Sequence, residues 1–397
     1  MTSETATVAA RGGFVPPPYP HDRLAGFHAT AASVPGGIVD CSIGTPVDPM
    51  PDVARHALVE SAAAATGYPA TIGSADYRTA AAAWIGRRFG VAVEPDEVVA
   101  CIGTKELVAS LPRALSLRDP TRDTVLYPGV AYPTYAMGAT LAGLRAVPVP
   151  VDASWRLDLS AVADADASRA LVLWLNDPAN PTGAGNDRAG MAAAVAWARE
   201  RGVIVASDEC YAEFTYADDG LPSEPVTALD AGVNGVLAVH SLSKRSNMAG
   251  LRAGFVAGDG DLVAYLGELR KHGGLMTPAP VQAAATAALG DDSHVDDQRE
   301  RYASRRRRLL PVLERWGLVH DGGPSTFYLW LRGAGALADD DGWSLTGRLA
   351  ETGLLVAPGD LYGPQGRDHV RLALSVTDER LDLTIERLEA SMAAAGI

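Results

Sequence analysis

Three apolar runs, each closing on a polar cluster about one strand–helix–strand unit after the last, constrain this chain most. Arg169–Gly183 reads RALVLWLNDPANPTG, Val203–Phe214 reads VIVASDECYAEF and Val236–Val256 reads VLAVHSLSKRSNMAGLRAGFV. Hydrophobic residues stand back to back in each, as in strands covered on both faces. Asn180, Asp208 and Lys244 follow these runs, 28 and 36 positions apart, the span of one βαβ unit each. Right-handed crossovers then bring the strand ends to one edge of a mostly parallel sheet. The pattern predicts an α/β chain with its polar chemistry gathered along that edge.

Lys244 stands out against the composition. Only Lys105, Lys244 and Lys271 are lysines among 34 basic residues, so arginine carries nearly all the generic positive charge. Arginine keeps its proton and forms no imine, whereas a buried lysine gives its proton up more readily. Ser241, Ser243 and Arg252 accompany it. Hydroxyls and a guanidinium suit a phosphate, and an amine suits a carbonyl carbon, so the set fits a phosphorylated aldehyde.

The run Ser241-Leu242-Ser243-Lys244, with Gly250, Arg252 and Gly254 at their offsets, resembles the pyridoxal-phosphate attachment segment of class I/II aminotransferases. These are fold-type I enzymes related to aspartate aminotransferase. The resemblance runs from about Ile38 to Leu388 and implies pyridoxal 5'-phosphate on Lys244. It also implies a large domain with a mostly parallel, seven-stranded sheet covered by helices, plus a smaller α+β domain. The expected division is a disordered tail or arm at 1–20, a large domain at 51–280, and a small domain from 21–50 and 281–397.

Further site residues follow from this resemblance together with their local setting. Asp208 ends its strand, where a carboxylate can keep a pyridine nitrogen protonated and the ring an electron sink. A buried carboxylate alone is costly, so Asp208 requires a cationic partner. Asn180 and Tyr211 can donate to the ring's phenolate oxygen. Gly103, Thr104 and Lys105 sit at a strand-to-helix switch, where backbone N–H groups bind phosphate. Tyr132 matches the family's ring-stacking aromatic, whereas Tyr127 and Tyr135 are expected in the core. Gly44 matches the place where the backbone approaches the substrate carboxylate. Arg371, alternating with apolar neighbours in His369–Val376, matches the arginine that grips that carboxylate in two-point fashion. Tyr68, in GYPATIGSADYR, matches the tyrosine that reaches the phosphate of a neighbouring subunit, which implies a homodimer.

Composition excludes other partners. The chain of 397 residues carries a net charge of −14, with 47% hydrophobic and 21% charged residues. That balance disfavours nucleic acid and anionic membranes. No apolar run reaches the length of a spanning helix, and Met1–His21 lacks the apolar core of a secretory signal. Cys41, Cys101 and Cys210 are widely spaced, which fits reduced thiols in a cytoplasm. Eight histidines include no HExxH motif, and no metal site is expected. Arg305–Arg308, four consecutive arginines after an acidic stretch, is expected to be a solvated, salt-bridged helix face. Gly353–Tyr362 and His369–Val376 are expected to pair like a hairpin.

Several segments resemble actinobacterial N-succinyldiaminopimelate aminotransferases: DCSIGTPVDP, GYPAT, IGTKEL, SDECY, HSLSK, RKHGGLMTPAPVQAA and VAPGDLYGP. That likeness implies amino transfer between L-glutamate and N-succinyl-2-amino-6-oxopimelate, in lysine synthesis by way of diaminopimelate. A second carboxylate on the substrate needs a second cation, for which Lys105 and Arg78 are candidates. Another aminotransferase specificity, or a carbon–sulfur β-lyase on the same fold, stays open. A ligand-sensing module of a transcription regulator is a further alternative, but no basic winged-helix segment is visible before Ile38.

Overall fold

The computed structural model describes residues 14–395, so residues 1–13 of the expected N-terminal tail lie outside the described residues. Residues 14–19 carry no helix or strand, and a 3-10 turn follows at Pro20–Leu24.

A two-residue strand, β1 (Val39–Asp40), precedes the central sheet. That sheet contains β2 (Val98–Ile102), β3 (Thr124–Pro128), β4 (Arg145–Val149), β5 (Ala170–Asn176), β6 (Ile204–Asp208), β7 (Val236–Ser241) and β8 (Ala253–Gly258). Its order is β2-β8-β7-β6-β5-β3-β4. The five strands from β4 to β7 are parallel, and β8 runs antiparallel to both β7 and β2. Every residue of β5, β7 and β8 is buried, which explains runs with no alternation. A fully buried Val or Leu contributes roughly 1.5–3 kcal/mol, and two apolar layers cover the sheet's opposite faces.

Local chemistry sets the helix limits. Arg188–Glu200 is capped by Asp187, whose side chain accepts from Gly190 N–H at 2.7 Å. Ala75–Phe89 starts at a Ser74 cap and stops at Gly90, whose φ is +73°. Residues 274–278 separate the helices Gly260–Gly273 and Ala279–Leu289.

A second sheet, ordered β12-β13-β10-β9, uses β9 (Leu318–His320), β10 (Tyr328–Gly333), β12 (Ala357–Pro358) and β13 (His369–Ala373), all antiparallel. The hairpin expected at the chain's end is only partly formed. Ala357–Pro358 pairs with β13, but β11 (Leu354–Leu355) turns away to run parallel to β1. The distant β1 takes that edge instead, with Val39 N–H donating to Gly353 O and Cys41 N–H to Leu355 O, each at 2.8 Å.

The arginine run also departs from expectation. All four residues lie on the helix Ser293–Trp316, yet Arg305 and Arg306 are buried while Arg307 and Arg308 face solvent. Consecutive residues on a helix point about 100° apart, so two of the four turn inward here. No helix among the described residues is long and apolar enough to cross a membrane.

Candidate active site

The carboxyl ends of the central strands meet at one place. Register sets Asn176 directly opposite Asp208, and Ser241 opposite Gly254 on the antiparallel β8. A cavity of about 280 Å³ opens there, and twelve residues named from the sequence line it: Gly44, Thr104, Lys105, Tyr132, Asn180, Asp208, Tyr211, Ser241, Ser243, Lys244, Arg252 and Arg371. Two others do not. Gly103 sits just behind as the cap of the helix Thr104–Arg118, and Tyr68 is 96% exposed, away from its own chain's cavity.

Lys244 lies in a short helical turn opened by Ser241, whose Oγ accepts from Ser243 N–H at 3.1 Å. Its Nζ donates to Gly44 O across the cavity and has no carboxylate partner among the described residues. Burial first, then the nearby Arg371, pushes the ammonium down to about 8. Below that value the amine is protonated and a poor nucleophile; above it the lone pair is free. The rate at which cofactor-free protein captures an aldehyde should therefore rise about tenfold per pH unit and level off near 8. A rate still climbing toward about pH 10, where a solvated lysine titrates, would contradict this placement.

Asp208 is buried, and burial drives its carboxyl upward against hydrogen bonds from Cys210 and Tyr135. Tyr135 Oη donates to Asp208 Oδ2 at 2.7 Å, and Cys210 N–H to Oδ1 at 3.3 Å. Tyr135 is thus not simply a core residue. It lines the cavity and orients the acid. The signal lay in the spacing, since Tyr132 and Tyr135 flank a helix start three positions apart. No cation meets Asp208 among the described residues, which leaves it suited to a ligand's protonated nitrogen.

Tyr211 Oη and Tyr328 Oη are 2.9 Å apart, a contact not read from the sequence. A Cβ on Gly44 would lie 2.0 Å from Tyr328 Oη, so only glycine allows this approach. Arg371 is buried between the Tyr328 and Tyr362 rings, 4.2 and 4.9 Å from their centroids. Its Nη1 donates to Asn180 Oδ1 at 2.9 Å and its Nη2 to Ser42 O at 2.5 Å. With its oxygen taken by Arg371, Asn180 keeps its amide N–H2 for a ligand. Among the described residues Arg371 meets no carboxylate, and its buried Nε has no partner. A buried guanidinium without a counter-ion is an anion site.

Arg252, also without a carboxylate partner among the described residues, holds a left-handed φ of +58° and donates to Ala249 O at 2.9 Å. Such a conformation costs a non-glycine residue about 1–3 kcal/mol and persists where surroundings fix it. A Cβ on Gly103 would fall 2.2 Å from Arg252 Nη2, so that glycine lets the guanidinium reach the helix start beside Thr104. Lys105 Nζ lies over the rings of Tyr19 and Tyr132, 5.0 and 5.8 Å from their centroids. Tyr19 and His21 also line the cavity, bringing the chain's N-terminal part to its mouth. The other proposed second cation, Arg78, is engaged elsewhere, by Pro95 O and Asp96 at 2.9 and 2.7 Å.

An amine, an acid and two guanidinia, none with an opposite charge among the described residues, meet in one cavity. A family model, aminotransferase class I and II, matches residues 37–388. The chain belongs to the class I and II aminotransferases, a pyridoxal-phosphate-dependent family. A probable aminotransferase of Mycobacterium tuberculosis is 45% identical over 97% of this chain and 89% of its own length. The 4-dedimethylamino-4-oxo-anhydrotetracycline transaminase of Streptomyces rimosus is 44% identical over 94% of this chain and 99% of its own. Among solved structures, a probable N-succinyldiaminopimelate aminotransferase of Thermus thermophilus superposes with a TM-score of 0.82 at 31% identity, covering 93% of this chain and 99% of that one.

The residues fit pyridoxal phosphate. Among the described residues Asp208 meets no cation, Arg252 no anion and Lys244 no charged partner, so each has an unmet need that one phosphorylated pyridine aldehyde satisfies.

Proposed function

We propose that this aminotransferase moves an amino group between L-glutamate and N-succinyl-2-amino-6-oxopimelate. The observation that carries the reading is the buried Arg371, which meets no carboxylate among the described residues, beside Lys244 in one cavity. Lys105, a second cation between two tyrosines at the mouth, is the candidate for the substrate's distal acid group. Likeness to the Thermus thermophilus enzyme supports the succinylated substrate.

In this reading Arg371 and the Gly44 backbone orient the α-carboxylate, so that the substrate's Cα–H bond faces Lys244. Bound pyridoxal phosphate supplies the electron sink that makes this C–H bond acidic. Lys244 Nζ takes the α-proton and returns it, an acid–base role matched to its depressed basicity. Asp208, steadied by Tyr135, holds positive charge at the buried end. Asn180 and Tyr211 would donate to the cofactor's phenolate, and Tyr132 would stack on its ring. Ser241, Ser243, Arg252 and the helix start at Gly103, Thr104 and Lys105 would hold the phosphate.

The exposed Tyr68 is assigned to the neighbouring site of a homodimer; a fully active monomer in sedimentation would exclude that. Three unpaired cysteines accord with action in a reducing cytoplasm. The Streptomyces rimosus relative favours a second reading, a polycyclic ketone as acceptor. An acceptor panel with glutamate as donor separates them. Succinylated oxopimelate should give the highest kcat/KM, and preference for a polycyclic ketone would reject the first reading. Pyruvate release from cystathionine without a keto acid would instead indicate the lyase.

A further inference from the structure

Arg305 and Asp48 take no part in the chemistry above, yet they join three segments that wall the cavity. Arg305 is 2% exposed. Its Nη1 and Nη2 each donate to Asp48 at 2.8 Å, its Nε donates to Asp378 at 2.9 Å, and Nη1 also reaches Leu374 O at 3.4 Å. Asp48 Oδ2 accepts from Gln298 Nε2 at 2.9 Å as well. Asn247 Nδ2 donates to Gln298 Oε1 at 3.0 Å and to Pro49 O at 3.2 Å.

The connected segments are the 42–51 loop, the turn just past Lys244, and the chain leaving β13 after Arg371. The loop has no helix or strand of its own, so side-chain anchors fix its position. On its cavity side the loop presents Ser42 O to Arg371 at 2.5 Å and Gly44 O to Lys244. On its far side it is held by Asp48. One guanidinium therefore grips both the loop that faces Arg371 and the chain that carries Arg371.

We propose that Asp48 is a positioning residue for substrate: clasped by Arg305, it sets the spacing between the 42–45 turn and Arg371, and thereby the width of the carboxylate site. This rests on reading Arg371 as the carboxylate anchor. A bidentate Arg–carboxylate pair resists both displacement and rotation; weakening one hydrogen bond to a charged group lowers binding by about tenfold to a hundredfold, and where ground and transition states lose it equally the loss falls on KM.

The test uses Asp48→Asn holoenzyme, which keeps the shape and one acceptor but loses the charge. The KM for amino donor should rise about tenfold to a hundredfold, with kcat within about threefold and the visible absorbance band unchanged. Arg305→Lys keeps the charge but cannot hold Asp48 by two bonds while reaching Asp378. It should shift KM the same way, and it decides the matter should Asp48→Asn not fold. Arg307→Ala, at an exposed residue paired with Glu300 at 2.6 Å, should change nothing. An unchanged KM in the folded variant, or a loss of kcat alone in step with the unfolded fraction, overturns the proposal. An unaltered KM in Arg371→Lys would instead overturn the anchor reading itself, whatever Asp48 does.

Discussion

Lys244→Ala should lose at least about 10⁴-fold in kcat, the upper range of a single positioned acid–base group, because it removes the covalent anchor as well. The holoenzyme absorbance near the visible edge should disappear with it. The fold should survive. Lys244 Nζ donates to Gly44 O and lies 5.7 Å from the Phe327 ring centroid, with no carboxylate beside it among the described residues, so removing a buried amine relieves a desolvation cost. The cofactor-free variant should therefore melt at or above the temperature of the cofactor-free parent. A variant that keeps both the band and its turnover would remove Lys244 from the chemistry.

Arg371→Ala should lower kcat/KM for amino acids by about 10²–10³-fold, the effect of deleting one partner of a buried charged pair. Damage should reach beyond the substrate, since Asn180 Oδ1 and Ser42 O both lose their donor. Asn180 is then free to turn its amide, which would disturb the phenolate side of the ring. Arg371→Lys restores charge but not the two-point fork or the stacking between Tyr328 and Tyr362, and should recover only part of the loss. Steady-state kinetics with an amine lacking a carboxylate should show a much smaller loss in either variant, limited to the share that passes through Asn180. An equal loss on that amine would move Arg371 from substrate recognition to general structure.

Most of the candidate site was legible because its chemistry sits at strand ends. Asn180, Asp208, Lys244 and Arg371 each follow or occupy an apolar run, and strand spacing alone brings the first three to one edge. What stayed hidden depends on partners far away in the chain. Tyr135 reads as a core aromatic until Asp208, 73 positions later, is found on its hydroxyl. Arg305 reads as one of four solvated arginines until Asp48, 257 positions earlier, is found in its fork. The hairpin expected at the chain's end forms only at Ala357–Pro358 for the same reason, since Leu354 finds Val39 rather than the neighbouring strand. Periodicity reports which face of an element is buried, not which distant charge or strand makes burial favourable.

The scarcity of lysine makes the most direct measurement unusually clear. Borohydride reduction of the holoenzyme, followed by peptide mass mapping, fixes the cofactor to whichever amine holds it. With only Lys105, Lys244 and Lys271 as side-chain amines, the account predicts the label on Lys244 alone; a label on Lys105 or Lys271, with Lys244 unmodified, would contradict it.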